Sequence, residues 1–499
     1  MDFLRHHPLG ARVPDSVHAV CASLPALADV IAYEEGAPRV MSRIDLGYPR
    51  FVQHLYLRRV AELFRHRNGL SGHEVFLTAS ENAARRLVER VRATGAAITA
   101  QEGFAAVHFP SEPEAGTRAR LFLQHTGWGL SSREAEDVLV REGLLPTRQE
   151  EEVVGVDAIS ACEDALGAAA GARSRDDVFL CRSGMSAFYA SFLAIQRAQA
   201  ARGRDVWVQI GWLYLDTQRI LEKFTGGAAS FIWLHDPSDQ RAIDEVFSQH
   251  GSRIAGVVTE TPTNPLMQTG DVRRIAELAR RHGAALVLDP SSVGLANVDV
   301  LPHADGLVVS LTKYAGNRGD VMAGLVVVNG SSPFAGALRE GLAEYIEPLY
   351  SRDAARLAWT LRDMETVARA GNANTIRLVA WLEAHASVRR VHWAGSEAYR
   401  RNYEAIARGP NRPGALLSVE LNRPLAEVYD RLRVVKAASF GVRFTMACPF
   451  LYLTHFDKVR SESGRRFLRD HGLEPDLLRV SAGIEPFDRI REVFDEALL

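Results

Sequence analysis

Short apolar stretches alternate with amphipathic stretches through the middle of the chain. Between residues 155 and 330, apolar runs at 177–181, 206–210, 254–259 and 284–288 are separated by segments with apolar residues at helical spacing. Strands that alternate with helices predict a mostly parallel sheet covered on both faces. Ligands of such sheets bind beyond the carboxyl ends of the strands. The pattern therefore predicts an α/β fold with a binding site at those strand ends.

One of these strand ends carries a lysine. The apolar run 306–310 leads into Leu-Thr-Lys-Tyr, with Lys313 at its centre. A lysine that is fixed by a strand and partly buried has a lowered pKa, which suits it to forming a Schiff base. The hydroxyls of Ser310 and Thr312 can bind a phosphate nearby. Taken alone, Lys313 fits an ordinary surface lysine after a strand better than a catalytic one.

A carboxylate ends an earlier predicted strand. Asp289 follows the apolar run 284–288. A carboxylate at a neighbouring strand end is what a pyridinium nitrogen needs, because a charge-assisted hydrogen bond contributes about 1.5–3 kcal/mol and keeps the ring an electron sink. Lys313 and Asp289 together predict pyridoxal 5'-phosphate (PLP) as the cofactor.

Five ordered motifs resemble those of the cystathionine γ-synthase family, the Cys/Met-metabolism branch of PLP enzymes with the aspartate-aminotransferase fold. They are Ser183-Gly-Met-Ser-Ala187, Glu260-Thr-Pro-Thr-Asn-Pro265, Leu288-Asp-Pro290, Ser310-Leu-Thr-Lys-Tyr314 and Leu478-Arg-Val-Ser-Ala-Gly-Ile-Glu485. The chain is most similar to the fungal-type enzymes, which pair a Gly-Tyr-Pro-Arg-Phe turn, here 47–51, with a later Ser-x-Gly segment, here 439–441.

The resemblance implies a PLP-dependent transferase fold. This α/β fold has a large domain with a mostly parallel seven-stranded sheet and a smaller C-terminal α/β domain. We expect an N-terminal arm at 1–65, an inserted small α/β module at 66–150, the PLP-binding domain at 151–335 and the small domain at 336–499. The inserted module separates the 47–51 turn from Gly184 by far more than in the shorter bacterial enzymes.

The resemblance also implies the residues that hold the phosphate. Gly184 and Met185 would offer backbone N–H groups at a helix start, where the helix dipole favours an anion. Ser310 and Thr312 would add their hydroxyls. Tyr48 and Arg50 match a Tyr-x-Arg motif that reaches the phosphate of a neighbouring subunit. We therefore expect a homodimer or homotetramer with shared active sites.

In this family, further residues bind the cofactor ring and the substrate. The resemblance implies that Lys313 forms the Schiff base and moves protons, that Tyr214 stacks on the ring and assists proton transfer, and that Asp289 binds the ring nitrogen. Asn264 would donate a hydrogen bond to the ring hydroxyl. Arg479 would bind the substrate α-carboxylate with two parallel hydrogen bonds, and Ser439 would line the same pocket.

The expected reaction is replacement at the γ-carbon of an O-acyl-L-homoserine by L-cysteine or another thiol, giving L-cystathionine in sulfur amino acid (methionine) metabolism. Elimination by a γ- or β-lyase shares the early steps and remains an alternative, as does a non-catalytic protein of the same fold. Phe444 stands where the short enzymes, including the γ-lyases, carry a glutamate that reads the distal part of cystathionine. The presence of Phe444 argues against a cystathionine lyase.

Composition excludes several other classes of protein. With 499 residues and a formal net charge of −2, the chain shows no polyanion-binding character, so no nucleic-acid partner is expected. Its four cysteines lie far apart, which fits neither a disulfide framework nor a metal site. No run of 18 apolar residues and no signal peptide occur. We expect a cytoplasmic enzyme that acts on small amino-acid substrates, without membrane contact.

Overall fold

The structure is a computed structural model that describes residues 2–46 and 52–499. The first elements are β1 (Arg12–Val13), β2 (Cys21–Ala22), α1 (Leu27–Glu34), α2 (Pro38–Met41), α3 (Leu55–Arg67), β3 (His73–Thr78), α4 (Glu81–Val91), β4 (Ala97–Gln101), β5 (Phe104–Pro110), α5 (Pro113–Thr126) and α6 (Ser132–Arg141).

The alternating middle part of the chain follows. Its elements are α7 (Ala158–Ala170), β6 (Val178–Cys181), α8 (Gly184–Ala200), β7 (Val206–Ile210), α9 (Leu215–Phe224), β8 (Phe231–Leu234), α10 (Gln240–His250), β9 (Ile254–Glu260), α11 (Val272–His282), β10 (Ala285–Asp289), β11 (Gly306–Ser310) and β12 (Gly324–Val328).

The last third of the chain has shorter strands between helices. Its elements are α12 (Ala335–Tyr345), α13 (Ser351–Leu361), α14 (Met364–Glu383), β13 (Val388–Trp393), α15 (Glu397–Glu404), β14 (Leu416–Leu421), α16 (Leu425–Arg431), β15 (Val435–Lys436), β16 (Met446–Pro449), α17 (Phe450–Thr454), α18 (Phe456–Val459), α19 (Glu462–Asp470), β17 (Leu478–Ser481) and α20 (Phe487–Leu498).

The predicted seven-stranded sheet is confirmed. Its strand order is β6-β12-β11-β10-β9-β7-β8, and only β12 runs antiparallel to its neighbours. Both faces are apolar because the sheet lies between helices: Leu286 and Leu288 of β10 pack into one buried cluster, whereas Ala285 and Val287 pack into another. The carboxyl ends of β9, β10 and β11 therefore meet at one edge of the sheet.

A second sheet forms the core of the C-terminal part. Its order is β13-β14-β17-β16-β15, with antiparallel pairing except between β15 and β16. Strand β17 is central and carries Arg479, which is 3 % exposed. This smaller α/β unit agrees with the fold class expected from the sequence.

The region 66–150 contains a three-stranded antiparallel sheet in the order β3-β5-β4. The sequence patterns predict strands at 74–78 and 105–109 and helices at 81–94 and 131–142, the last capped by Ser131. These correspond to β3, β5, α4 and α6, and the Ser131 cap is present with a reciprocal bond to Glu134. The patterns missed β4 and α5. Strand β4 is mostly exposed and so lacks an apolar alternation, and α5 begins at Pro113 and contains Gly116, which weakens its helical signal.

The module and the large sheet share one core. Trp128 and Tyr189 of α8 pack with ring centroids 4.9 Å apart. Helix α3, which begins before residue 66, packs with α6 and one face of the small sheet through Leu57 and Val60. The inserted segment is thus joined by apolar contacts to elements on both sides of it in the chain.

The first residues of the chain pack on the C-terminal part. The Leu24 amide donates to the Lys436 carbonyl at 2.9 Å, and the Tyr429 hydroxyl donates to the Leu24 carbonyl at 2.7 Å. The Lys436 ammonium donates to the Pro25 carbonyl at 2.7 Å, and burial lowers the pKa of Lys436 to about 8.

Among the described helices, none is both long and apolar enough to span a membrane.

A buried arginine links the module to the large domain. Arg133 of α6 is 1 % exposed and donates to Asp353 at 2.9 Å, to Glu151 at 2.6 and 2.8 Å, and to the Asp320 carbonyl at 2.9 Å. The Asp320 carbonyl lies in the loop that follows Lys313. A single guanidinium therefore compensates two carboxylates from different parts of the chain.

Replacing Arg133 by Met is expected to lower the free energy of unfolding by about 3–5 kcal/mol, because two largely buried carboxylates lose their nearest cation. The measurement is the denaturant midpoint. Arg148→Met is the matched control: Arg148 pairs with Asp137 at 2.7 Å but is 58 % exposed, so its loss should cost less than about 1 kcal/mol. Equal midpoint shifts in the two variants would contradict the proposed stabilising role.

Candidate active site

The carboxyl ends of the central strands open into one cavity. Its volume is about 200 Å³. Most of the residues predicted from the sequence line it, namely Gly184, Met185, Tyr214, Asn264, Asp289, Ser310, Thr312, Lys313 and Arg479. Ser439 contacts this set through Lys313. Tyr48 and Arg50 lie outside the described residues, and their roles stay predictions.

One end of the cavity is built to accept an anion. Helix α8 begins at Gly184, so the first amides of the helix have no intrahelical acceptors. The Ser183 side chain satisfies one of them, because its hydroxyl accepts from the Ser186 amide at 3.1 Å. A Cβ on Gly184 would lie 2.9 Å from the Ser310 Cβ, so only glycine allows this approach. The Ser310 hydroxyl has no hydrogen-bond partner in the part of the chain that the structure describes. This end fits a phosphate.

The Thr312 hydroxyl has protein partners of its own. It donates to the Ala323 carbonyl at 3.3 Å and accepts from the Ala323 amide at 3.2 Å. These bonds join the loop that carries Lys313 to β12. The predicted phosphate contact of Thr312 would have to share or replace these two bonds, whereas Ser310 needs no such exchange.

Asp289 ends β10, the strand that pairs with β11, and lines the same cavity. Burial raises the pKa of Asp289 to about 6, although the Ser291 amide donates to it at 2.8 Å and the nearby Lys313 charge also lowers it. A buried carboxylate of this kind gains most from a cationic N–H group, which stabilises its charged form. The anion-binding end, the lysine and this carboxylate together fit PLP.

Glu260 is a site residue whose role the sequence analysis missed. It lies beside Asp289 in the register of β9 and β10, and its carboxylate accepts from the Tyr214 amide at 2.5 Å and the Asn264 amide at 3.1 Å. Burial, followed by the Asp289 charge, raises the pKa of Glu260. The signal was an acid at the end of an apolar strand. Glu260 holds together the two loops that carry Tyr214 and Asn264.

Lys313 and Arg479 both donate hydrogen bonds to Ser439. The Lys313 Nζ donates to the Ser439 Oγ at 3.3 Å, and the Arg479 Nη2 donates to the Ser439 carbonyl at 3.2 Å. The Arg479 Nη1 donates to the Asn264 Oδ1 at 3.3 Å. Ser439 therefore contacts both Lys313 and Arg479, the residue predicted to bind the substrate carboxylate.

Two aromatic rings flank Arg479, and the sequence analysis assigned neither a role. The Arg479 Cζ lies 4.6 Å from the Phe450 ring centroid and 5.2 Å from that of Phe440. Stacking of this kind stabilises a desolvated guanidinium. Phe444, which stands at the glutamate position of the shorter enzymes, is buried against Phe3 with centroids 4.4 Å apart rather than in the cavity.

The first residues of the chain form another wall of the cavity. Val20, Cys21, Leu24 and Glu34 line it. Burial raises the pKa of the Cys21 thiol to about 12, against the opposing effects of Lys313 and Ser439. Burial also raises the pKa of Glu34 to about 7. Sequence patterns could not predict this wall, because residues far from the strands in the chain carry no periodic signal for it.

A parallel sheet with a lysine and a buried carboxylate at neighbouring strand ends, beside an anion-binding helix start, defines a PLP-dependent enzyme. The chain belongs to the Cys/Met metabolism PLP-dependent enzyme family, whose sequence model matches residues 159–499. The predicted family and cofactor are confirmed.

Two similar proteins extend over nearly the whole chain. One is the L-2-amino-4-chloropent-4-enoate dechlorinase/desaturase of Streptantibioticus cattleyicolor, which is 41 % identical over 97 % of both chains. Another is a cystathionine gamma-synthase of Neurospora crassa, 26 % identical over 98 % of both chains. The solved cystathionine gamma synthase of Xanthomonas oryzae pv. oryzae has the same fold, with a TM-score of 0.57 and 24 % identity over 67 % of this chain and 83 % of its own.

Proposed function

We propose that the protein removes a halide from the γ-carbon of an L-α-amino acid with an uncharged side chain, and that L-2-amino-4-chloropent-4-enoate represents the substrate class. The observation that carries this proposal is the charge distribution of the cavity. Among its described lining residues, the charged ones are Glu34, Glu260, Asp289, Lys313 and Arg479.

Only one of the two cations in this set is placed to bind a substrate carboxylate. Arg479 would hold the α-carboxylate, and Lys313 would face the α-carbon. A succinyl leaving group or the carboxylate of an incoming cysteine would need a further cation to replace its hydration. A halide and a short hydrocarbon chain need none. The similarity to the Streptantibioticus dechlorinase/desaturase supports the same reaction class.

The residues would act in sequence on the substrate. When bound, PLP supplies an electron sink that stabilises negative charge next to the substrate nitrogen. Arg479 holds the substrate carboxylate. Lys313 removes a proton from the α-carbon and moves protons between carbon atoms of the substrate. Tyr214, the residue before α9, lines the same cavity as Lys313. The net change is loss of one proton and one halide ion, with a new carbon–carbon multiple bond, so no oxidant is required.

The test is release of chloride from L-2-amino-4-chloropent-4-enoate by the purified holoenzyme, with the organic product identified by mass as the substrate less HCl. Parallel reactions contain O-acetyl- or O-succinyl-L-homoserine, with and without L-cysteine. A rate of chloride release well above the rates of acetate or succinate release from the two acyl-homoserines supports the proposal. Absence of chloride release together with cystathionine formation would overturn it.

Replacement by a thiol is the second candidate function. It is supported by the similarity to the Neurospora enzyme and by Glu34, an acid that lines the cavity and whose pKa lies near 7. Such a carboxylate can accept the proton of an attacking thiol. In this case, an O-acyl-L-homoserine and L-cysteine would give L-cystathionine and the free acid.

The predicted Tyr-x-Arg motif leads to an experiment on assembly. We propose that Arg50 contacts the phosphate in the partner subunit, so each site needs two chains. Arg50→Ala should weaken cofactor retention, and Lys313→Ala should be inactive. After subunit exchange, hybrids carry one site that lacks both groups and one intact site, so about a quarter of wild-type activity should return.

Leu46 and Val52 border the segment 47–51 and line the cavity of their own chain. Failure to recover activity in fully exchanged mixtures would therefore assign Arg50 to its own chain. Arg39→Ala is the control: Arg39 lies in the same N-terminal region, is 56 % exposed and pairs with Asp29, so this variant should retain its cofactor.

A further inference from the structure

His125, in the last turn of α5, lies where the inserted module packs on α9. The residue is 3 % exposed. Its Nδ1 lies 2.8 Å from the Asp216 Oδ1, and its Nε2 lies 3.0 Å from the Lys223 Nζ. Asp216 belongs to the first turn of α9 and Lys223 to its last turn. A single buried imidazole therefore joins α5 to both ends of α9.

These partners fix the tautomer of the His125 ring. The Lys223 ammonium can only donate, so the His125 Nε2 accepts from it. The proton of the neutral imidazole is then on Nδ1, which donates to the Asp216 carboxylate. Asp216 is 1 % exposed, and the Gln124 Nε2 donates to the same oxygen at 3.4 Å. Donors of this kind stabilise a buried carboxylate and hold it in one place.

The first turn of α9 borders the active-site cavity on its other side. Tyr214, Leu215 and Thr217 line the cavity, whereas the Asp216 side chain is turned toward α5. The Thr217 hydroxyl lies 3.8 Å from the Met185 Sδ at the start of α8. Tyrosine seldom caps a helix, so the place of this turn depends on contacts with other elements.

We propose that His125 is a positioning residue of the active site. Through its hydrogen bond to Asp216 it holds the first turn of α9, and with it Tyr214, at the wall of the cavity where the Tyr214 ring is predicted to stack on PLP. The inserted module, to which α5 belongs, thereby has a role in the site. This inference goes beyond the proposed function, because it concerns the cofactor and holds for elimination and replacement alike.

Two variants separate the two hydrogen bonds of His125. His125→Asn keeps an N–H donor at the δ position for Asp216 and loses the acceptor for Lys223. His125→Gln keeps an acceptor at the ε position and loses the donor at the δ position. Titration of the apoenzyme with PLP should give a Kd about tenfold above that of the wild type for His125→Gln, and within about threefold of it for His125→Asn. The visible circular dichroism of the bound cofactor should decrease in His125→Gln alone.

A second background shows whether the effect passes through Tyr214. Tyr214→Ala removes the ring that His125 is proposed to hold, so adding His125→Gln to this variant should raise the Kd for PLP no further. His108→Gln is the matched control. The His108 Nε2 lies 3.1 Å from the Thr99 Oγ1 of the same module, so this variant should keep the Kd and the circular dichroism of the wild type.

Equal Kd values for His125→Asn and His125→Gln would overturn the proposal, because the hydrogen bond to Asp216 would then make no difference to cofactor binding. A further tenfold rise in Kd on adding His125→Gln to Tyr214→Ala would also overturn it, since His125 would then act by another route. The titration contains no amino-acid substrate, so its outcome is independent of chloride release.

Discussion

Lys313→Ala should lower the rate of chloride release by about 10⁴-fold or more, since proton transfer by a positioned group contributes up to that factor and the cofactor linkage is lost as well. Lys313 is the only lysine among the described residues that line the cavity. The measurement is single-turnover chloride release, with the cofactor content of the variant determined separately.

A small primary amine added to Lys313→Ala should restore part of the rate, because it can carry the proton that the side chain no longer carries. Lys458→Ala is the control: Lys458 contacts Phe467 at 4.9 Å, outside the cavity lining, so full activity is expected. A Lys313→Ala enzyme with substantial turnover and no need for added amine would show that another group performs the proton transfers.

Asp289→Asn should bind PLP and yet react about 10²–10³-fold more slowly, because a neutral amide no longer stabilises a protonated ring nitrogen. The buried carboxylate is charged at neutral pH only at a cost, as its pKa of about 6 indicates. The charged form of Asp289 is therefore stabilised most when a cation lies against it. The measurements are kcat and the visible absorbance of the bound cofactor as a function of pH.

Asp305→Asn separates this effect from loss of any buried carboxylate. Asp305 precedes β11 at the other end of the sheet and accepts from the Leu286 amide at 2.7 Å. Burial raises its pKa as well. The Asp305 variant should lose stability while keeping kcat and the absorbance of the wild type. If Asp289→Asn shows the same pattern as Asp305→Asn, the carboxylate serves the fold rather than the reaction.

The chemistry of the site follows from residues that are local in the sequence. Lys313, Asp289 and Gly184 each stand directly after an apolar run, and the geometry of parallel sheets places such residues at one edge. Their convergence, and the class of enzyme, could therefore be predicted without coordinates. The same holds for Ser131, whose capping box with Glu134 depends on residues three apart.

The walls of the cavity depend on tertiary structure. Cys21 and Glu34 come from the first residues of the chain and Phe440 from the loop between β15 and β16, and nothing in their local sequence indicates that they line the cavity of Lys313. Strand β4 was missed for a related reason, since an exposed strand is defined by its hydrogen-bond partner and not by its own apolar pattern.

The sequence by itself thus determined the sheet, the cofactor and the family, because these depend on short motifs and on the alternation of buried strands. Only the tertiary structure decided that Glu260 joins the Tyr214 and Asn264 loops, that Arg133 ties the inserted module to the loop after Lys313, and that Phe440 lies between Lys313 and Arg479. The physical reason is that these contacts join residues distant in the chain, whose approach is set by the packing of whole elements.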